Sequence, residues 1–313
     1  MNRRADPAAG SSAASRAPAA GPVGCARLAT VNATVPASGT EEQTHKIFAH
    51  RGFSGRQPEM TVAAFRAAID WAGETGIRLG LECDVQFSAD DQLICLHDSR
   101  LDRTCTTPGV AFDFTVAELK SFDFGSRQTA DPSEEQRSMI TLAELLALVH
   151  EARQRGIDVT LAIETKHPNP RGLDTEDRVA EMLTGYGWHR AGSPVRIISF
   201  SMEALLKIGK LLPELERTYL QQYDFGAWVT GELPDGIEAF GPDIALLRDD
   251  PGFVDRAREH GREVHPWTLN EPADIEYALS LGVQGLTTDF PDRVWDLTRR
   301  LVRTELPYEA TEF

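Results

Sequence analysis

The chain has 313 residues, 41% hydrophobic and 26% charged, which leaves room for one large domain such as a barrel of about 250 residues. Its 32 Lys and Arg against 48 Asp and Glu give a formal net charge of -16, which argues against nucleic acid or an anionic membrane as the main partner, since both need a broad basic surface. No apolar run approaches the ~20 residues of a transmembrane segment; a small phosphate-bearing substrate, which needs only a local basic pocket, stays open.

Residues 1–44 are rich in Ala, Pro, Gly and Ser and carry no amphipathic period, so they are expected to form a disordered extension. Arg3 and Arg4 give a basic start, but no continuous apolar stretch follows them, and Cys25 lacks the apolar run that a lipidated cysteine follows. A cytoplasmic protein is therefore expected. The cysteines Cys25, Cys83, Cys95 and Cys105 show no C-x-x-C spacing. Cys83 and Cys95 could face each other across a hairpin, but reduced, buried thiols are the expectation.

Order is expected from His45. A first strand over 45–50 ends in His50-Arg51-Gly52, and after a polar loop Thr61 caps a helix with Val62, Phe65, Ile69 and Ala72 on one face. A second strand, 79–85, carries Glu82 and Asp84 one residue apart. Strand side chains alternate, so both carboxylates face one way and Cys83 the other. A short polar turn follows, then an apolar run, 93–96, ending in His97-Asp98. That turn is too short for a parallel crossover, so 93–96 should fold back antiparallel and return His97 toward the carboxylates.

Segment 99–139 breaks the pattern. It is predicted to be a small insertion with one short helix at 116–120, a polar loop at 129–138, and anchors at Phe112, Phe114, Phe122 and Phe124. Beyond it strands are predicted at 159–163, 195–199, 218–221, 244–247, 263–267 and 285–288, separated mostly by helical stretches at 142–155, 175–183, 202–211, 252–260, 272–281 and 293–302. Alternation of this kind argues for a parallel sheet with helices outside. With the returning run set aside, eight strands remain, and a (β/α)8 TIM barrel over 45–303 is expected, followed by an acidic tail at 304–313.

Three strand ends then converge on the barrel mouth, where such folds place function. They offer His50 and Arg51, Glu82 and Asp84, and Glu164 and Lys166. Three carboxylates make a hard oxygen donor set that suits Mg2+ or Ca2+ over zinc or copper. Arg51 and Lys166 would hold an anion bridging to that cation, leaving His50 and His97 as a general acid and base. Together these groups suit cleavage of a phosphate ester. Taken singly each has a plainer reading: a hydrogen-bonded strand-end histidine, carboxylates facing water, a Glu164–Lys166 salt bridge. His150, His167 and His189 are read as helix-face or loop residues. Independent accidents would not all fall on adjacent strand ends.

These residues sit in stretches that resemble the glycerophosphodiester phosphodiesterase family: His50-Arg51-Gly52, Pro58-Glu59-Met60-Thr61, Glu82-Cys83-Asp84-Val85, His97-Asp98-Ser99-Arg100-Leu101-Asp102-Arg103-Thr104, Ile163-Glu164-Thr165-Lys166, Ser199-Phe200-Ser201, Trp267-Thr268-Leu269-Asn270 and Gly285-Leu286-Thr287-Thr288-Asp289. The resemblance implies a distorted barrel with a small insertion subdomain after its second strand. It implies one Mg2+ or Ca2+ on Glu82, Asp84 and Glu164, His50 and His97 as the catalytic pair, and phosphate contacts from Arg51 and Lys166. Glu59 falls at a family active-site position and Trp267 is expected to line the pocket. The implied reaction converts a glycerophosphodiester to glycerol 3-phosphate and an alcohol. Two alternatives are a related barrel lyase acting on sphingomyelin or lysophospholipids, against which the insertion argues, and an inactive barrel that only binds phosphodiesters. One departure stands out: Met60 follows Pro58-Glu59 where the family usually has Asn, which bears on polar contacts near Glu59.

Overall fold

The computed structural model describes residue 43 and residues 45–305, with side chains through residue 300. Apart from Gln43, the extension expected at 1–44 lies outside the described residues, as does the expected tail beyond 305.

Eight parallel strands form a nearly closed barrel. They are β1 (Lys46–Ala49), β2 (Leu79–Phe87), β4 (Val159–Thr165), β5 (Val195–Ser199), β6 (Arg217–Gln221), β7 (Ala239–Pro242), β8 (Glu263–Val264) and β9 (Gly285–Thr288), in the spatial order β8-β7-β6-β5-β4-β2-β1-β9. β3 (Leu93–Cys95) pairs antiparallel with β2, setting Val85 against Cys95 and Phe87 against Leu93. It is the returning run that the short turn demanded. Between β8 and β9 the seam is spanned by individual bonds, from the Gln284 amide to the Val264 carbonyl (3.1 Å) and from the Thr287 amide to the Pro266 carbonyl (3.1 Å).

The helices α1 (Val62–Thr75), α4 (Leu142–Gln154), α5 (Asp174–Gly185), α6 (Met202–Leu211), α8 (Phe253–Glu259), α9 (Pro272–Ser280) and α10 (Pro291–Glu305) are the long connectors. Several start on side-chain caps. Thr61 accepts from the Ala64 amide, and Thr141 and Glu144 form a reciprocal capping box. Apolar faces such as Phe65, Ile69 and Ala72 of α1 are buried in one continuous core between strands and helices. Among the described residues no helix is long and apolar enough to cross a membrane.

Two expected elements are different. The apolar run 244–247 is not a strand; it lies in helix α7 (Ile244–Asp249), and the barrel strand is the buried Ala-Phe-Gly-Pro segment just before it. Asp243 settles the boundary by accepting from the Ala245 amide and capping the helix. Four apolar residues carry too little period to tell a buried strand from a buried helical turn. Within the loop expected at 129–138, Glu134–Arg137 form a single helical turn, α3, closed by a Ser133/Gln136 capping box.

Segment 99–139 holds a 3-10 turn at Ala111–Asp113, helix α2 (Val116–Lys120) and α3. Leu101, Cys105, Ala111, Leu119, Phe124 and Met139 close a second small core with Ile94 and Leu96 of the returning arm. Phe114 and Phe122 pack on that core edge to face, while Phe112 packs on the main core. Cys83, Cys95 and Cys105 are buried free thiols.

The barrel interior beneath the mouth is filled by Phe48, Arg196 and His265. Arg196 Nη1 lies 3.0 Å from His265 Nδ1, and His265 Nε2 lies 2.8 Å from Glu263. Glycines on neighbouring strands make the space: a Cβ on Gly80 would meet the Phe48 ring, and one on Gly285 the His265 ring. Alternating small and large residues in this way is how a narrow barrel is packed.

Candidate active site

The chain turns sharply at the end of β1. Arg51 and Gly52 are both left-handed, with φ of 58° and 80°, a conformation that costs a non-glycine residue free energy. This turn aims the Arg51 backbone amide at Glu82 Oε2, 2.9 Å away. It also leaves His50 facing inward, where its Nδ1 lies 2.7 Å from Asp289 Oδ1 at the end of β9. Asp289 is held in turn by Ser54 Oγ (2.9 Å) and Asn270 Nδ2 (2.6 Å). Burial works against its charge, but the bonds from His50, Asn270 and Ser54 hold its carboxyl below the usual range. An ionised carboxylate only accepts, so His50 carries its proton on Nδ1 and presents Nε2 to the cavity.

Glu82, Asp84 and Glu164 form the floor of the site. The β2–β4 register sets Asp84 beside Glu164, and each of the three residues offers a ligand oxygen within 4.8 Å of the others. Their exposures are 2%, 1% and 6%, so the repulsion among them is barely screened. Burial and the neighbouring Asp84 push the Glu82 carboxyl up to about 7, and the same two causes raise Glu164 well above the carboxylate range. Asp84 moves the other way: burial opposes its charge, but Lys166 and Arg51 hold its carboxyl below its ordinary value. Lys166 Nζ lies 2.8 Å from Asp84 and 2.9 Å from Glu164. Asp84 Oδ2 is buried and makes no hydrogen bond. Its near partner is Arg51 Nε, 3.4 Å away; a buried carboxylate oxygen without a hydrogen bond, in a cluster with two more buried carboxylates, fits a hard divalent cation.

His97 arrives from the other side, on the arm that β3 begins. Gln86 of β2 donates to the carbonyls of Leu96 (2.8 Å) and His97 (3.0 Å), and the Leu96 amide donates to the Asp84 carbonyl. His97 Nδ1 lies 2.7 Å from Asp98 Oδ1, an arrangement parallel to that of His50 and Asp289. Burial lowers the His97 imidazole below its usual value.

His50, Arg51, Glu82, His97, Glu164, Lys166 and Trp267 line one cavity of about 250 Å³. Asp84 lies beneath it within the acid cluster. Glu59 stands behind the cavity, accepting from Arg51 Nη1 at 2.9 Å and from both terminal nitrogens of Arg103. Trp267 Nε1 donates to the Gly241 carbonyl, and its ring meets Phe200 edge to face at 5.7 Å. The departure at Met60 leaves Glu59 with its two arginines; the Met60 side chain is turned into the core. Reasoning from sequence did not assign the partners that orient the histidines, Asp98 and Asp289, nor Asn270, Ser54, Gln86 and Arg103. The acid directly after His97, in His-Asp, was the available signal for the first of these; Arg103 meets Asp98 five positions away and Gln86 meets His97 eleven away, whereas the contacts of Asp289 with His50, Ser54 and Asn270 and of Arg103 with Glu59 span 19 to 239 positions.

The profile of the glycerophosphoryl diester phosphodiesterase family matches residues 50–293. The probable glycerophosphodiester phosphodiesterase 1 of Mycobacterium tuberculosis is 32% identical over 254 residues, 79% of this chain and 90% of that protein. The glycerophosphodiester phosphodiesterase of Bacillus subtilis is 31% identical, over 78% of this chain and 83% of that protein. Among solved structures, a putative glycerophosphoryl diester phosphodiesterase from Silicibacter pomeroyi superposes with a TM-score of 0.69 at 23% identity, covering 83% of this chain and 95% of that one. A phosphodiesterase from Oleispira antarctica, in complex with the product sn-glycerol-3-phosphate, has a TM-score of 0.66 at 24% identity, with 81% and 96% covered. At these identities the structural likeness speaks for the fold. The profile match runs from the first cavity histidine through the last barrel strand, and so takes in the acid cluster and both histidine–aspartate pairs: the chain belongs to the glycerophosphoryl diester phosphodiesterase family.

Proposed function

We propose that this protein hydrolyses glycerophosphodiesters to glycerol 3-phosphate and an alcohol, with His50 and His97 as an acid–base pair beside a divalent cation on Glu82, Asp84 and Glu164. One observation carries the reading: two carboxylate-oriented imidazoles and three buried carboxylates meet at a single cavity that also holds Arg51 and Lys166. The activity in the names of the Mycobacterium and Bacillus relatives, and the product in the Oleispira complex, support it.

Bound by three hard oxygen donors, Mg2+ or Ca2+ supplies charge neutralisation at a phosphoryl oxygen. Arg51 and Lys166 add positive charge at the same wall; despite burial, the acids around them hold both above their ordinary values, so both stay protonated. His50 Nε2 takes the proton of the attacking oxygen. His97 must enter this step as the imidazolium, with Nδ1–H on Asp98, to give its Nε2 proton to the alcohol oxygen as the P–O bond breaks; burial disfavours that charge, so the acid role is strongest toward lower pH. Asp289 and Asp98 fix which ring nitrogen works in each case.

The test is release of glycerol 3-phosphate from glycerophosphocholine and glycerophosphoethanolamine, with saturating Mg2+ or Ca2+ and with chelator. Release that chelator abolishes is expected, and His50→Ala and His97→Ala should each lower kcat by about 100-fold or more. No release by the unaltered protein, or undiminished release by both variants, would sink the assignment.

A further inference from the structure

His97 stands on the antiparallel arm, whereas Glu82 and Glu164 lie on barrel strands and His50, Arg51 and Lys166 directly follow one. His97 follows the three-residue β3; its carbonyl accepts from Gln86 of β2, and the amide of the preceding Leu96 donates to the Asp84 carbonyl. Its side chain leans on Asp98, which is on the same arm. Unless Asp98 is itself fixed, that pair orients the ring relative to the arm alone and not relative to the acid cluster.

Arg103 supplies the missing connection. Its Nε donates to Asp98 Oδ2 at 2.6 Å, on the carboxylate whose other oxygen meets His97. Its Nη1 and Nη2 donate to the two oxygens of Glu59, each at 2.7 Å. Glu59 in turn accepts from Arg51 Nη1 at 2.9 Å. One planar guanidinium therefore engages two carboxylates through all three of its nitrogens, and this fork geometry fixes angle as well as distance. The chain of contacts runs from Arg51 through Glu59, Arg103 and Asp98 to His97.

We propose that Arg103 is a positioning residue for the reaction: it clasps the arm bearing His97 to the loop after β1 and so sets the imidazole over the acid cluster. The inference rests on the reading of His97 as the proton donor to the leaving alcohol. Arg103 touches neither the cavity nor the acid cluster and acts through Asp98. Its side chain is 48% exposed, against 32% for Asp98 and 16% for Glu59. Ion pairs that wet contribute little to global stability, so a network this complete at the rim is explained better by geometry than by folding.

Arg103→Met keeps an unbranched apolar stem in place of the arginine methylenes and removes every donor. With saturating Mg2+ or Ca2+, it should lower kcat on glycerophosphocholine by about 10- to 100-fold while KM changes little, the usual cost of losing an outer-shell partner. Activity on bis(p-nitrophenyl) phosphate should fall far less, because nitrophenolate leaves without a proton; His97→Ala should show the same leaving-group selectivity. A purely structural defect would depress both substrates alike, and that result, or unchanged turnover of glycerophosphocholine, overturns the proposal. Arg103→Lys, which reaches only one carboxylate, should recover part of the loss. Amide hydrogen exchange separates this inference from the reading beneath it. Arg103→Met should speed exchange across 97–104 by about tenfold, with the rest of the barrel unaffected. Unchanged exchange there overturns the clasp whatever the chemistry, whereas loss of selectivity in His97→Ala alone removes the role of His97 as the acid.

Discussion

Met60 holds a backbone conformation that its side chain does not favour. Its φ is 57°, in the left-handed region that Gly, Asn and Asp enter most readily. A family preference for Asn at this position has a physical reason here: the turn between Glu59 and the α1 cap needs a left-handed residue, and Asn tolerates one. Methionine answers by burying its side chain to 2% exposure against the main core. Met60→Asn should therefore be destabilising in spite of the easier backbone, because about 1 kcal/mol of relief competes with the ~1.5–3 kcal/mol lost when a buried Met is exposed or replaced by an amide. Urea unfolding should show a net loss of about 1 kcal/mol, with kcat on glycerophosphocholine unchanged; a stabilised variant would mean that the strain outweighs the packing. The same division between local and distant runs through the site. Glu82, Asp84, Glu164 and Lys166 were legible because strand alternation puts i and i+2 on one face, and His50 because it ends a strand. Asp289 was not assigned because the residue it orients lies 239 positions away, and no local period connects them.

At the level of elements, the alternation of strand and helix and the shortness of the turn before β3 were enough to count the barrel and set the returning arm aside. The failure at 244–247 came from an apolar run whose length fits either state; Asp243, a helix cap, was the sign that it was a helix. Glycine within strands was a further sign left unread. Gly80 in β2 and Gly285 in β9 flank β1, and a methyl group on either would strike the ring of Phe48 or His265. At Gly285 the obstruction is not a flexible tip. A Cβ would sit 2.6 Å from His265 Cδ2, and that ring is held on both nitrogens by Arg196 and Glu263. Gly285→Ala should cost about 1–3 kcal/mol, as overpacking of a dense core does. Chemical denaturation measures this, and a neutral substitution would show that the His265 network is looser than its bond lengths imply.

The whole molecule places two buried ionisable clusters one above the other inside the barrel, and pH acts on them in opposite directions. Burial, the largest cause, lowers the fully enclosed His265 to about 4. The unfolded chain, in which a histidine titrates near 6.5, then binds more protons than the native state between those values. Stability is present above pH 6.5 and is lost as pH falls toward 4, by on the order of 3 kcal/mol. Glu82, raised to about 7 by burial and Asp84, does the reverse in cation-free protein. There the native state holds the extra proton, so its contribution is present below pH 4.5 and is lost as pH rises through 7, with Glu164 adding in the same sense. A bound cation requires these carboxylates deprotonated and removes the second loss. With saturating Mg2+ or Ca2+, Tm should climb from pH 4 to 6.5 and then level. In chelator the climb should be blunted, and Tm should decline toward pH 8. The increase in Tm on adding the cation should thus be larger at pH 8 than at pH 5. His265→Gln, which can still bridge Arg196 and Glu263 but cannot titrate, should flatten the acid limb alone. A cation effect on Tm that is the same at both pH values would argue that Glu82, Asp84 and Glu164 do not hold it.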